Sequence, residues 1–450
     1  MSWSNIKQIL LFIVILNGCS FSPKSYIVSQ DNFKEEEKSL NQNNSNILSN
    51  IKYLQTNTAE NTNEDDLLIQ AIFYETEGQY KKSHYFYNLL YKKTKGIAYL
   101  IRELTTALYA GIESPNIDKL KELVEKNPKN IQYKRLLLSF YINNRDIENG
   151  KKIANELLKI SKMPIDYELS ASPYILDGEY KRAIELLDKA YKKSYNEDIL
   201  LKITTLYANF LNNIDEAKRR LEEHRKKFGC SPKVCNQLLE IYSKTQEIKP
   251  LIKIYKALYE KTKIEIYAIK LIEAYIYTKE FDKAIYFLKH QYKNDELLYE
   301  VYLAKKDYKN ALKIANKLYK KTKKPRWLAE SAMALYEAST NKDDPKMLNE
   351  FIEKFENALS QGAKDSVYLN YYGYTLIDKN IDPKRGVELI KEALKYQPDN
   401  SYYLDSLAWG YYKLNMCKDA YRVMKRVVDM EGLEEEEIAT HWRAIQKCNK

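Results

Sequence analysis

Apolar and polar residues alternate along most of the chain with the period of a helix. In "LDSLAWGYYKLNMCKDAYRVMKRVV", residues 404–428, Leu404, Leu407, Ala408 and Tyr411 fall at i, i+3, i+4 and i+7. That spacing makes one apolar face of a helix. Ala420, Met424 and Val427 form a second stripe after a short polar break. The pair predicts two amphipathic helices joined by a turn.

The same two-helix pattern recurs. Polar residues ending one stretch are followed by an aromatic or aliphatic residue and, three places on, a small one: "EGQYKKS", "DGEYKRA", "TKEFDKA", "KKDYKNA". The small-residue slot falls at Ser83, Asn116, Gly150, Ala183, Ala217, Leu251, Ala284, Ala311, Phe351, Gly386 and Ala420. Successive spacings are 33 or 34 until 27 and 40 intervene, then 35 and 34. The 27 and 40 together make two ordinary periods, so one unit is shortened and the next carries an insertion near "STNKDDPK". Asn116, Leu251 and Phe351 are too large for a tight helix contact; either their units are distorted or the register there is shifted by a residue.

A period near 34 built from two helices resembles the tetratricopeptide repeat. The likeness is strongest in "VYLNYYGYTLIDKNIDPKRGVELIKEALKYQPDN", with Leu369, Tyr372, Gly373 and Leu376 in its first helix. Gly386, Ile390 and Ala393 follow in the second, and Pro398 closes the unit. The resemblance implies an all-α fold, a right-handed superhelical solenoid of helix-turn-helix repeats. About eleven repeats would occupy residues 63–431, with a capping helix over 432–450. No unit buries its stripe alone, so neighbours must stack and the free end needs a cap.

Composition agrees with a helical array. Hydrophobic residues make up 44% of the 450 and charged ones 30%, with 12 Gly and 11 Pro, too few turn residues for a many-stranded sheet. The 40 tyrosines lower the weight of any single one. The net charge of +11 comes from Lys and Glu interspersed along helix faces, without a basic block.

The first residues change the picture. In "MSWSNIKQILLFIVILNGCS" Lys7 precedes an apolar run from Ile9 to Leu16, too short to span a bilayer of about 30 Å. It reads as a secretory signal over residues 1–18. Leu16-Asn17-Gly18-Cys19 resembles the lipobox of bacterial lipoproteins. The resemblance implies cleavage before Cys19 and its lipidation, including an N-acyl chain; several chains anchor stably where one does not. Ser20 after the cysteine implies the outer membrane, facing the periplasm. Residues 19–62 are polar and poor in apolar side chains, which reads as a flexible tether. This location disfavours nucleic acid as a partner.

Four further cysteines allow three pairings in a compartment that permits disulfides. Cys230 and Cys235 flank a turn in "GCSPKVC". Cys417 opens the second helix of the last repeat, and a capping helix folded back antiparallel would bring Cys448 beside it. Buried unpaired thiols are the alternative.

No residues are assigned to catalysis, cofactor or metal. His84, His224, His290 and His441 lack partners at metal-ligand spacing and read as surface or partly buried helix residues. No phosphate-binding glycine loop or nucleophile motif occurs. Binding remains. Tyr402, Asp405, Trp409 and Tyr412 form a stripe beside the core one, matched in the preceding unit by Asn370, Tyr374 and Ile377. In the family this face lines the concave groove, so Asn370, Tyr374, Tyr402, Trp409 and Tyr412 are candidates to hold an extended peptide or partner helix. Packing between neighbouring units is the competing reading of the same rings.

The expectation is a lipid-anchored envelope scaffold binding protein partners of an outer-membrane-associated assembly: secretion, pilus, flagellar or envelope biogenesis. An adaptor recruiting peptidoglycan or polysaccharide enzymes is the alternative, and a hydrolase hidden in an atypical unit is a third. No cofactor or small-molecule substrate is expected.

Overall fold

The computed structural model describes residues 63–449. The signal segment 1–18, Cys19 and the tether to residue 62 lie outside the described residues. The described residues hold 23 α-helices and no strand. They divide into two compact units after Glu247.

The first unit holds α1 (Glu64–Thr76), α2 (Tyr80–Thr94), α3 (Ile97–Ala110), α4 (Ile117–Lys126) and α5 (Ile131–Asn143). It continues through α6 (Ile147–Ile160), α7 (Pro164–Leu176), α8 (Tyr180–Ser194) and α9 (Glu197–Thr205). A π-helical turn at Leu206–Phe210 extends α9, and α10 (Ile214–Phe228) and α11 (Pro232–Lys244) complete the unit. The second unit opens with α12 (Ile248–Thr262), α13 (Glu265–Tyr277), α14 (Phe281–His290), α15 (Asp295–Ala304), α16 (Tyr308–Thr322) and α17 (Arg326–Ala338). It ends with α18 (Pro345–Ser360), α19 (Ser366–Asp378), α20 (Pro383–Tyr396), α21 (Ser401–Lys413), α22 (Cys417–Glu431) and α23 (Glu436–Cys448). Within each unit, helices adjacent in sequence pack on one another, and so do successive first helices such as α19 and α21.

Short polar side chains start the helices. Asn130, Asn196, Asn294, Asp365 and Asn400 each accept a backbone N–H of the first turn, satisfying donors that would otherwise have no partner. The turn inside most pairs contains one residue at positive φ: Gly78, Arg145, Gly178, Asn212, Gln246, Lys279, Lys306, Asn380 and Asn415. Only two of these are glycine, the residue that reaches this region without strain.

Second helices bury the predicted slot and the residues four and seven further on, as in Ala183, Leu187 and Ala190 or Ala420, Met424 and Val427. Two slots need comment. Asn116 stands at the N-terminal boundary of α4 without capping it through its side chain, and the buried slot is Leu120, fully enclosed one turn later. Phe351 does sit in the slot, with Phe355 and Ala358 after it, all fully buried. The preceding helix α17 compensates by burying Ala329, Ala332 and Ala334. Phe355 stacks on Tyr372 with ring centres 4.8 Å apart.

The tightest crossing joins α19 to α20. A Cβ added to Gly386 would lie 2.5 Å from the backbone oxygen of Gly373, and one added to Gly373 2.8 Å from that of Gly386. Neither oxygen can turn aside. Gly386→Ala gains about 1 kcal/mol of helix propensity but must force the helices apart, at the roughly 1–3 kcal/mol typical of overpacking. Urea unfolding followed by circular dichroism is expected to show net destabilisation, larger than in Gly150→Ala, whose new Cβ would meet side chains rather than backbone, the nearest being the Pro173 ring at 3.2 Å. A G386A protein more stable than wild type would refute the close-contact reading.

Candidate functional site

Residues three or four apart share a helix face, and the Asp365 and Asn400 caps start α19 and α21 in equivalent registers. Asn370 and Tyr374 therefore occupy the same face of α19 as Asp405 and Trp409 do of α21. Tyr402 and Tyr412 extend that face to either end of α21.

This face is the seat of α23, which packs on both α21 and α22. His441 is buried and its Nδ1 lies 3.0 Å from both carboxylate oxygens of Asp405. The imidazole stacks on the Trp409 indole, ring centres 4.1 Å apart and planes 17° from parallel. Trp409 stacks in turn on Tyr412 at 4.8 Å. The Tyr374 hydroxyl donates to Glu437 Oε1 at 2.6 Å; burial, reinforced by that carboxylate, raises its pKa. The Tyr402 hydroxyl reaches Glu435 at a long 3.5 Å. On this face Asn370 Oδ1 and Trp409 Nε1 are buried with no hydrogen-bond partner among the described residues. Four of the five candidates thus meet the chain's own last helix or the stack beneath it, while Asn370 contributes a buried amide.

Cys417, at the start of α22, is bonded to Cys448 at the end of α23, with Cα atoms 5.4 Å apart. Cys230 and Cys235 are bonded within the first unit. The histidines divide: His290 is exposed and His84 half-buried, but His224 and His441 are buried, against the expectation of surface or partly buried positions. His224 Nδ1 meets the Tyr191 hydroxyl at 2.7 Å. No group of three or more His, Cys, Asp or Glu side chains among the described residues is placed to hold a metal ion.

Sequence reasoning missed a polar ladder between successive first helices. Glu330 on α17 is buried; it accepts from Tyr299 of α15 at 2.6 Å and from Tyr368 of α19 at 2.9 Å. Tyr371 donates to Glu337 at 2.8 Å. In the first unit Arg135 of α5 grips buried Asp166 of α7 through two nitrogens, and Lys233 of α11 pairs with Asp198 of α9. The partners lie roughly one period apart, and that spacing is the signal by which they could have been found.

Residues 281–442 match the tetratricopeptide repeat family model. The segment runs from the first residue of α14 into α23, so the tetratricopeptide match contains the whole aromatic face. No curated protein matches the chain. Among solved structures, yeast Tom70 is similar at 11% identity over 86% of this chain and 94% of its own, with a TM-score of 0.35. A tetratricopeptide repeat protein from Parabacteroides merdae is similar at 13% identity over 55% of this chain and 98% of its own, TM-score 0.29. The structure of Naa15/Naa10 bound to HypK-THB matches at 13% identity over 86% of this chain but only 66% of that one, TM-score 0.30. All three scores lie below 0.5, and no function is taken from them. No helix among the described residues is long and apolar enough to cross a membrane.

Two outcomes follow from the tetratricopeptide segment. Burial, then the Glu330 charge, holds the pKa of Tyr299 well above its usual value near 10 and raises that of Tyr368. A raised folded-state pKa means that the folded protein keeps protons the unfolded chain loses. The stabilisation is complete below about pH 10 and falls as pH rises above it. Urea unfolding between pH 8 and 11.5 should show that alkaline loss. Tyr299→Phe should cost about 1.5–3 kcal/mol at pH 8 and flatten the alkaline fall; a fall as steep as in wild type would refute the assignment.

The second outcome concerns the staple. Cys448→Ser opens a loop of 31 residues, worth roughly 3–4 kcal/mol on the chain-entropy model. Hydrogen exchange should quicken across Glu436–Cys448 and leave α19 and α20 protected. Exchange in α23 unchanged by the substitution would show that its packing alone holds it.

Proposed function

We propose that the chain is a lipid-anchored scaffold of a bacterial cell envelope. Its helix pairs hold protein components of an outer-membrane-associated assembly, such as a secretion, pilus, flagellar or envelope-biogenesis machine. The observation that carries the binding role is the tetratricopeptide match over residues 281–442, since such units are protein-interaction modules. The anchor is supported by the apolar run Ile9–Leu16 and the Leu16-Asn17-Gly18-Cys19 sequence after it.

With several acyl chains on Cys19 the protein stays at the membrane without crossing it. The 44 residues of the tether, 19–62, treated as a random coil, would place the array roughly 35–40 Å from the bilayer. That distance lets the array reach partners beyond the surface carrying its anchor. The aromatic face of α19 and α21 contributes by seating α23, which leaves its rings only partly exposed to a partner.

Cys19→Ala tests the anchor. The wild-type protein is expected to take up labelled palmitate and enter the detergent phase on phase separation; the variant should do neither. Equal labelling and partition of the two proteins would end the lipoprotein reading and leave the binding role standing.

A further inference from the structure

The array breaks its own rule at α14. This second helix stops at His290 after 10 residues, as α4 stops at Lys126 after 10, whereas α8, α10, α12 and α16 each run 15. The shortening coincides with the single slot spacing of 27, from Ala284 to Ala311. Missing turns at that end leave neighbouring helices without cover. A cavity of about 910 Å³ opens there, bounded by α13, α14, α15 and α16. Its volume lies within the range of specific binding clefts.

The floor is apolar. Ile269, Leu297 and Ile314 are only half-buried, above the buried Leu288, Leu298 and Leu318. The rim is cationic. Lys289 and Lys293 come from the end of α14 and the turn after it; Lys317 and Lys321 come one turn apart on α16. The two carboxylates at the cleft are already engaged, Asp295 with Lys317 at 2.9 Å and Glu296 with Arg326 at 3.1 Å. Lys293 and Lys321 are exposed and have no carboxylate partner among the described residues. Unmatched positive charge on two separate elements therefore borders an apolar floor.

We propose that this cleft binds an acidic, amphipathic peptide segment of a partner protein, apolar side chains down and carboxylates on both flanks. An acid with a single charged end would satisfy the lysines of only one element, whereas a peptide with glutamates on either side of its apolar residues reaches both. This inference rests on the scaffold reading and gives it a site and a partner chemistry. The site lies where the repeat is interrupted, away from the aromatic face that α23 covers.

The test uses the full chain and a fluorescent twelve-residue peptide with two leucines between pairs of glutamates, read by anisotropy. Binding is expected to weaken at least tenfold between 50 and 500 mM salt, because screening shortens the reach of the lysines. It should weaken at least tenfold when Lys293 and Lys321 are both changed to Glu. Ile314→Trp, which fills the floor without altering charge, should also abolish it; thermal melts of both variants establish that they are folded. Equal binding of a peptide with lysines in place of the glutamates, or undiminished binding by folded K293E/K321E, would overturn the proposal. So would a wild-type chain that ignores the peptide and binds vesicles of anionic phospholipid through the same lysines. Envelope partners retained by K293E/K321E would sink the cleft and leave the scaffold standing; a wild-type chain that retains no envelope partner yet binds the peptide would do the reverse.

Discussion

Two helices can approach closely only where one of them carries no bulk at the crossing. Gly373 and Gly386 set that limit in α19 and α20, where each backbone oxygen occupies the space the other's Cβ would need. Ala183, Ala311 and Ala420 do the same in a milder form, each fully buried in the slot of its second helix. The crossing fixes which residues stand to either side of it. Leu and aromatic side chains one turn away become core, and the opposite face must find cover from the next helix pair. The period of the sequence is the length of chain needed to return to that crossing.

Between successive helix pairs the demand is different. Successive first helices bury carboxylates, and a buried charge without partners is costly. Glu330 finds two tyrosine hydroxyls, one from each neighbouring first helix; Asp166 finds Arg135 and a serine hydroxyl. Apolar stripes would tolerate sliding by a turn, whereas these pairings fail if the units shift, so the ladder specifies register. The ladder also consumes part of the face that the sequence pattern reserves for a partner. Tyr368 and Tyr371 are bonded within the array, and Trp409 lies beneath His441. Large aromatic side chains on a first helix are thus no measure of an open groove here.

The helix pairs were legible because a period of 3.6 and a small residue at fixed spacing are local facts. Ala183, Ala217, Ala284, Ala311, Gly386 and Ala420 all lie in the slot, and even the shortened and lengthened units appear as 27 and 40. The error at Asn116 has a local cause: "SPNIDKL" places the asparagine just before the first turn of α4 where a slot was sought, and Leu120 one turn later does the packing. The turns gave little signal, since Lys279, Lys306 and Gln246 hold the positive-φ position that glycine usually marks. The aromatic face of α19 and α21 was legible as a face. That α23 covers it follows from the stack of His441 on Trp409 and the bond from Tyr374 to Glu437, contacts across 32 and 63 residues that no local pattern contains.

Regular repeats carry little information about a ligand, because every residue that keeps the period is already explained by packing. The informative positions are the departures. One departure, the insertion before α18, is absorbed: Asp344 caps the helix, Phe351 fills the slot and the alanines of α17 make room. The other, the loss of turns from α14, is not absorbed. A larger side chain at Ile269 or Leu297 would narrow the gap and a carboxylate at Lys293 would lower the charge of the rim, and the chain supplies neither. An array that accommodates Phe351 in a slot filled in most repeats by Ala or Gly can repack where packing is the only requirement, which makes the open cleft at α14 the feature of the second unit that packing does not explain.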